Sequence, residues 1–317
     1  NQETLKNIRR ENISVDQMLE LVPAIKETNL ATASEVILGL PGDTYQGIID
    51  TFRGLMNAQI EDIQCYTCMM LDGAEMNSAV ERKKWNFKTK FRVLPKDFVK
   101  LKNGKNVVEI EEVVIENNTL SFKENVELRC IAFSLFVTNI GIVYFPLLKF
   151  LSENHIEVFE LIYETVKNLE NAPNTVKSVF KSFEKQTIEE LWDSPEEIEA
   201  HYQNDQEFQK LLDEDSGMNV MQFHHAIVVG NTMDDWTNYI MSISKTLLQN
   251  QTNFDTIKEE FENIEKYCFG LSHNVLSETR MNDNPEFSFN YDVGKWAKSS
   301  EKKLLDFKYD TPSKLKF

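Results

Sequence analysis

Glu35-Val-Ile-Leu-Gly-Leu-Pro-Gly-Asp-Thr44 is a short apolar, β-branched run that ends in a glycine–proline turn and feeds a helical pattern. A run of that length and composition, closed by turn residues, predicts a buried strand over Ser34–Leu40. Asp43 or Thr44 then caps a helix whose apolar face is Tyr45, Ile48, Ile49, Phe52, Leu55 and Met56. A second apolar run, Asp62 to Leu71, follows and is closed by Asp72-Gly73. Strand, helix and strand in this order form a βαβ unit and imply a parallel pair. In such sheets ligands bind beyond the carboxyl ends of the strands, where this segment turns at Pro41-Gly42.

Outward from this unit, the pattern is helical on both sides. Ser14 and Gln17 form a capping box for a helix that Pro23 interrupts and Asn29 ends. Residues 81–105 are basic and then turn-like at Asn103-Gly104, and Val107 to Ile115 reads as a further strand. Helical spacing recurs near 122–140, 143–153, 155–170, 174–184, 195–212, 233–249 and 252–270. The tail, 281–317, reads as polar and irregular, anchored by Trp296 and several Phe.

Composition bounds the functional classes. The chain has 317 residues, 41% hydrophobic, with four cysteines and a net charge of −17. This supports a packed core and excludes a disulfide framework. It disfavours nucleic acid or an anionic membrane as the main partner. Residues 1–98 carry 12 Lys/Arg against 14 Asp/Glu, and residues 99–317 carry 22 against 37. The break suggests two domains, 1–98 and a mostly helical acidic extension, 99–317. No run of 18 apolar residues occurs, so no membrane partner and a cytoplasmic location are expected. The chain opens on Asn1, inside a helical pattern, and a missing N-terminus is the expectation.

The segment Glu35–Thr44 resembles the "(D/E)-hydrophobic-I-x-G-x-P-G-(E/Q/D)-T" stretch of the radical S-adenosylmethionine superfamily. Asn1-Gln-Glu-Thr-Leu-Lys-Asn-Ile-Arg-Arg10 resembles that family's helix after the fourth strand. Glu61-Asp-Ile-Gln-Cys-Tyr-Thr-Cys-Met-Met-Leu-Asp-Gly73 resembles its sixth strand, with Asp72 where proline is usual. The resemblance covers residues 1–80. It implies an α/β fold: strands five and six, the C-terminal portion of a partial (β/α)6 TIM-like barrel, followed by a mainly α-helical extension. Glu109–Arg129, Phe145–Leu151 and Asn290–Trp296 are similar to the extension of a subgroup that carries a cobalamin-binding domain. The defining C-x3-C-x2-C triad does not occur in this sequence. The resemblance therefore implies S-adenosylmethionine, a four-iron–four-sulfur cluster with ligands outside this chain, and possible use of cobalamin bound outside it. The partners would be the missing N-terminal half of the same protein and a small-molecule substrate, with the fragment inactive alone.

Site residues follow from the same alignment. Arg10 matches a basic residue that pairs with the methionyl carboxylate, which suits a guanidinium. Glu35 matches the acid that accepts from the ribose hydroxyls, and a carboxylate is an acceptor-only group suited to a diol. Ile37 and Gly39 match positions that pack on the adenine, with Val36 and Leu38 facing the helices. Met69 matches a position whose backbone reaches the adenine edge. No catalytic residue is assigned, and no metal ligands are assigned within the chain. Cys65 and Cys68 are three apart on a strand, on opposite faces, and read as core or lining thiols. His224-His225 are poorly placed to chelate on a helix. The alternative is a non-catalytic acidic helical interaction module with a degenerate barrel remnant.

Overall fold

The computed structural model describes residues 2–8, 17, 20–21, 32–139, 143–273, 285–299 and 302–317. Most of the helix expected over 14–29, and Arg10 with it, lies outside these residues. The chain forms two compact units, neither continuous in sequence: 1–132 with 181–224, and 133–180 with 225–317.

The first unit opens with α1 (Gln2–Asn7), β1 (Ala33–Leu38), α2 (Tyr45–Asn57) and β2 (Asp62–Thr67). Thr44 settles the cap: its side chain accepts from the Gly47 N–H. Ile48, Ile49, Phe52, Leu55 and Met56 are the buried face of α2. Gln59 then adopts a positive φ and turns the chain toward β2. β1 and β2 pair in parallel, from Ala33 opposite Asp62 to Leu38 opposite Thr67. Val36, Leu38 and Ile63 are buried, so one face of this pair is covered. The alternate residues Glu35 and Tyr66 are exposed.

After β2, a short helix, α3 (Ala79–Trp85), leads into β3 (Lys88–Lys100) and β4 (Asn106–Glu116). β3 was not legible as a strand in the basic stretch; it pairs antiparallel with β4 and is kinked between Val93 and Phe98. The charge break at residue 98 falls inside it. Val93 on this hairpin packs with Ile198 and Tyr202 of α8 (Pro195–Tyr202) and with Phe208 and Leu211 of α9 (Asp205–Leu212). Phe91 and Trp192 exchange backbone hydrogen bonds at 3.0 and 2.7 Å. The first part of α4 (Phe122–Thr138) and the last part of α7 (Asn174–Glu189) complete this unit.

The second unit is mostly helical. It contains α5 (Phe145–Glu153), α6 (Val158–Lys167), α11 (Met233–Gln251) and α12 (Lys258–Ser272). Between α9 and α11 lies α10 (Val220–Ile227), which passes from one unit to the other. Phe150, Phe159, Ile162, Trp236, Ile240, Ile264 and Cys268 are fully or nearly fully buried here. Tyr239 donates to the Thr165 carbonyl at 2.8 Å and so ties α11 to α6. The tail is not irregular. It forms β5 (Glu286–Tyr291), α13 (Val293–Ala297) and β6 (Lys308–Lys316), with β5 and β6 antiparallel. Pro312 sits in β6, the position expected of an edge strand.

The expected partial TIM-like barrel is overturned. The described residues hold three separate two-stranded sheets, with no closure. A barrel requires successive parallel strands bonded along both edges. Here the chain follows β2 with an antiparallel hairpin instead of another helix and parallel strand. That hairpin meets the chain just beyond β2 through an antiparallel bridge, Met69 to Val113. No helix among the described residues is long and apolar enough to cross a membrane.

Removing a ring from the buried face of α2 should be far more costly than removing one from the open face of β2. Phe52→Ala should lower stability by about 3–5 kcal/mol, and Tyr66→Ala, at 46% exposure, by under about 1 kcal/mol. Urea unfolding midpoints of the two variants test the difference.

Candidate functional site

The turn after β1 is held from several directions. Gly39 and Gly42 have φ of +93° and +86°, which disfavour any other residue. The Leu40 N–H donates to Asp43 Oδ2 at 2.9 Å, and the Asp43 N–H returns a bond to the Leu40 carbonyl at 3.0 Å. Asn117 Nδ2 donates to the Leu40 carbonyl at 3.1 Å, and the Thr119 hydroxyl to the Asp43 carbonyl at 2.6 Å. From α1, Asn7 Nδ2 donates to the Pro41 carbonyl at 3.0 Å.

The aligned residues fall in two groups on this frame. Glu35 and Ile37 share one face of β1, and the register sets them opposite Gln64 and Tyr66. Glu35 is exposed, and Ile37 packs partly against Cys68, Met70 and Val114. Gly39 lies beyond them and is closed in: a Cβ there would stand 3.4 Å from Val114 Cγ1. Met69 bridges Val113, and its side chain is 41% exposed. Its neighbours are committed to β4, since the Met70 N–H donates to the Glu112 carbonyl and Cys68 accepts from the Val114 N–H, both at 2.9 Å. The Glu35–Ile37 side thus sets an exposed carboxylate acceptor beside apolar and aromatic surface. The Cβ side of Gly39 is already filled by Val114.

The expectation of a metal-binding, iron–sulfur protein is also corrected. Among the described residues, no group of three or more His, Cys, Asp or Glu could hold a metal ion. The four cysteines are free and scattered rather than clustered. Burial pushes the Cys65 and Cys68 thiols up to about 12 each, so both stay protonated and inert at neutral pH. His224 is buried, with Nδ1 2.8 Å from the Val220 carbonyl and Nε2 3.1 Å from Ser182 Oγ. Both ring nitrogens are thus engaged within the protein.

Sequence reading missed a second polar centre. Arg92 on β3 faces Glu111 on β4 in register, and its Nε donates to that carboxylate. Its Nη1 donates to Glu190 Oε1 at 3.0 Å. Arg129 on α4 lies 3.5 Å from the same oxygen through Nη2 and donates from Nη1 to Thr67 Oγ1 at 2.6 Å. Burial opposes the charge on Arg92, but Glu190 and Glu111 outweigh it and hold the guanidinium above its ordinary pKa. Burial lowers the Arg129 pKa, and Glu190 offsets part of that effect. The Arg92–Glu111 pair is readable once the hairpin is known. Nothing in the sequence brings residues 129 and 190 to it, because that meeting depends on how two helices pack. The arrangement offers no nucleophile or general base; it clamps β2, β3, β4, α4 and the end of α7 together.

No protein-family model matches the chain, and no curated protein matches it.

Two substitutions test these centres. Glu190→Gln should cost about 3 kcal/mol, because it removes the carboxylate that two largely buried guanidiniums share; denaturant unfolding measures the loss. Asp43 tests pH dependence. Burial pushes its carboxyl up from 3.8 to about 6, against the Leu40 N–H, which favours the ionised form. The folded chain then holds this proton more tightly than the unfolded chain. The associated stability is complete below about pH 4 and is lost as pH rises through about 6, by at most about 3 kcal/mol. Asp43→Asn keeps an acceptor for Leu40 and should remove that loss when unfolding is compared at pH 4 and pH 7.

Proposed function

We propose that the chain is part of a radical S-adenosylmethionine enzyme, with the open face of β1 and β2 turned toward the adenosyl part of that molecule. The observation that carries this reading is Glu35, an exposed carboxylate on the uncovered side of a parallel pair whose other side is buried. Parallel strands are ordinarily covered on both faces. A ligand and further protein surface on this side would satisfy that rule. The segment order along residues 1–80 supports the same reading, since the glycine turn follows the strand that carries Glu35.

In this reading Glu35 accepts from the two ribose hydroxyls, and Ile37 with Tyr66 supplies apolar contact to the base. The Leu40–Asp43 turn fixes the end of β1 and so orients both. The acidic helical residues cover the substrate and exclude water from it. S-adenosylmethionine supplies the reacting group when bound, as a cofactor does in general. This chain binds and orients it. The second reading, an acidic helical interaction module, draws on the charge imbalance of residues 99–317, with 37 acidic against 22 basic side chains.

Protein made from its complete reading frame, kept anaerobic and supplied with dithionite and S-adenosylmethionine, should release 5′-deoxyadenosine or S-adenosylhomocysteine. The first product marks radical chemistry and the second methyl transfer, cobalamin-dependent or not. Glu35→Gln should raise the KM for S-adenosylmethionine about tenfold, a loss of about 1.4 kcal/mol, with little change in stability. No product and no binding of S-adenosylhomocysteine by calorimetry would leave the interaction module as the surviving reading.

A further inference from the structure

A small cavity lies in the first unit between the hairpin, the end of β2, α4 and α7, with about 20 Å³ of room for water centres. Its walls are largely apolar, from Val113, Val114, Ile115 and Leu191 among others. Six polar side chains line it as well: Thr67, Arg92, Asn125, Arg129, Thr187 and Glu190. Three of these, Asn125, Arg129 and Thr187, carry a buried polar atom with no hydrogen-bond partner in the protein, namely Asn125 Nδ2, Arg129 Nε and Thr187 Oγ1. Asn125 is 4% exposed and Thr187 is 3% exposed.

An orphaned donor at such depth carries the full cost of its lost hydration. Three of them on one cavity call for a guest that accepts hydrogen bonds. Arg129 Nε–H and Asn125 Nδ2–H can only donate, whereas the Thr187 hydroxyl can donate or accept. The guest must therefore offer at least two lone pairs. The charges around the cavity set its sign. Arg92 and Arg129 are balanced by Glu111 and Glu190 within the same network. An anion would add an uncompensated buried charge, and a cation would face donors. Size sets the rest. One water needs roughly 10–15 Å³ of such room and two to four polar partners.

We propose that this cavity is a binding site for one internal water, which accepts from Arg129 Nε and Asn125 Nδ2 and bonds to Thr187 Oγ1. The water completes the hydrogen bonding of Arg129, whose other two nitrogens already serve Thr67 and Glu190. It joins α4 to α7 where no direct side-chain bond does so between these three residues. Arg129 is then a positioning residue for the carboxyl end of β2, which it holds through Thr67. This inference does not depend on the proposed activity.

Crystals of the full chain at high resolution should show a single water within hydrogen-bond distance of all three atoms, and bromide soaking should give no anomalous peak there. In solution, oxygen-17 relaxation dispersion should count one long-lived water fewer in Thr187→Val and in Asn125→Leu than in the unaltered protein. A bromide peak in the cavity would replace the water with an anion and overturn the proposal. So would the absence of density in the unaltered protein, or equal water counts in well-folded variants. If both variants fail to fold, the density and bromide measurements on the unaltered protein still decide.

Discussion

One oxygen of Glu190 holds the first unit together. Oε1 accepts from Arg92 and faces Arg129, so a single carboxylate draws β3 and α4 to the end of α7. Through Thr67, Arg129 extends the connection to β2, and through Glu111, Arg92 extends it to β4. Buried charge pairs of this kind contribute little net stability compared with apolar packing, yet leaving one member unpaired is very costly. The cluster therefore acts as a specificity device. Alternative packings of the hairpin against the helices would strand a guanidinium away from water.

Among the described residues, no further parallel strand follows β2, because the hairpin takes its place. β4 lies along the chain that leaves β2, with Met70 and Cys68 bonded to Glu112 and Val114. Arg82 of α3 fastens that place from outside, reaching Glu112 at 2.6 Å and Asn77 at 2.8 Å. Strand hydrogen bonds that a further parallel strand would use at this point are already taken by the hairpin. The opposite consequence is that the face bearing Glu35 and Tyr66 stays open. The same pair of short strands thus has one face backed by packed side chains and one that is accessible.

The turn at Leu40–Asp43 couples these two features. Asn117 and Thr119, which follow β4, bond to its carbonyls. The hairpin that closes off the Cβ side of Gly39 therefore also fixes the turn beyond Glu35. Val114 takes part in both, as a contact of Gly39 and as a member of the cluster with Cys68 and Met70. Positions along β1 and the turn that ends it thus diverge in fate within five residues, from an exposed carboxylate at Glu35 to an enclosed glycine at Gly39.

Local pattern alone was enough for β1, α2 and β2, since each rests on short-range rules: short apolar runs, a cap at Asp43 or Thr44 and a glycine turn. It was enough as well for β4 and for the acid Glu35 on a strand; of the two strand thiols, Cys68 is buried and Cys65 half-buried. It failed for β3, whose lysines and arginines mask the alternation because their heads find carboxylates across the sheet, Lys88 with Glu116 and Arg92 with Glu111. It failed for the tail, where Phe287 and Phe289 gain their strand character only from pairing with β6. Barrel or hairpin after β2 was likewise beyond local pattern. That choice depends on which strand reaches the backbone of Cys68 and Met70, a contact with residues more than forty positions away. Periodicity encodes which face of an element is apolar; it does not encode the partner, and only the tertiary structure brings Glu190 to two arginines and Val114 to Gly39.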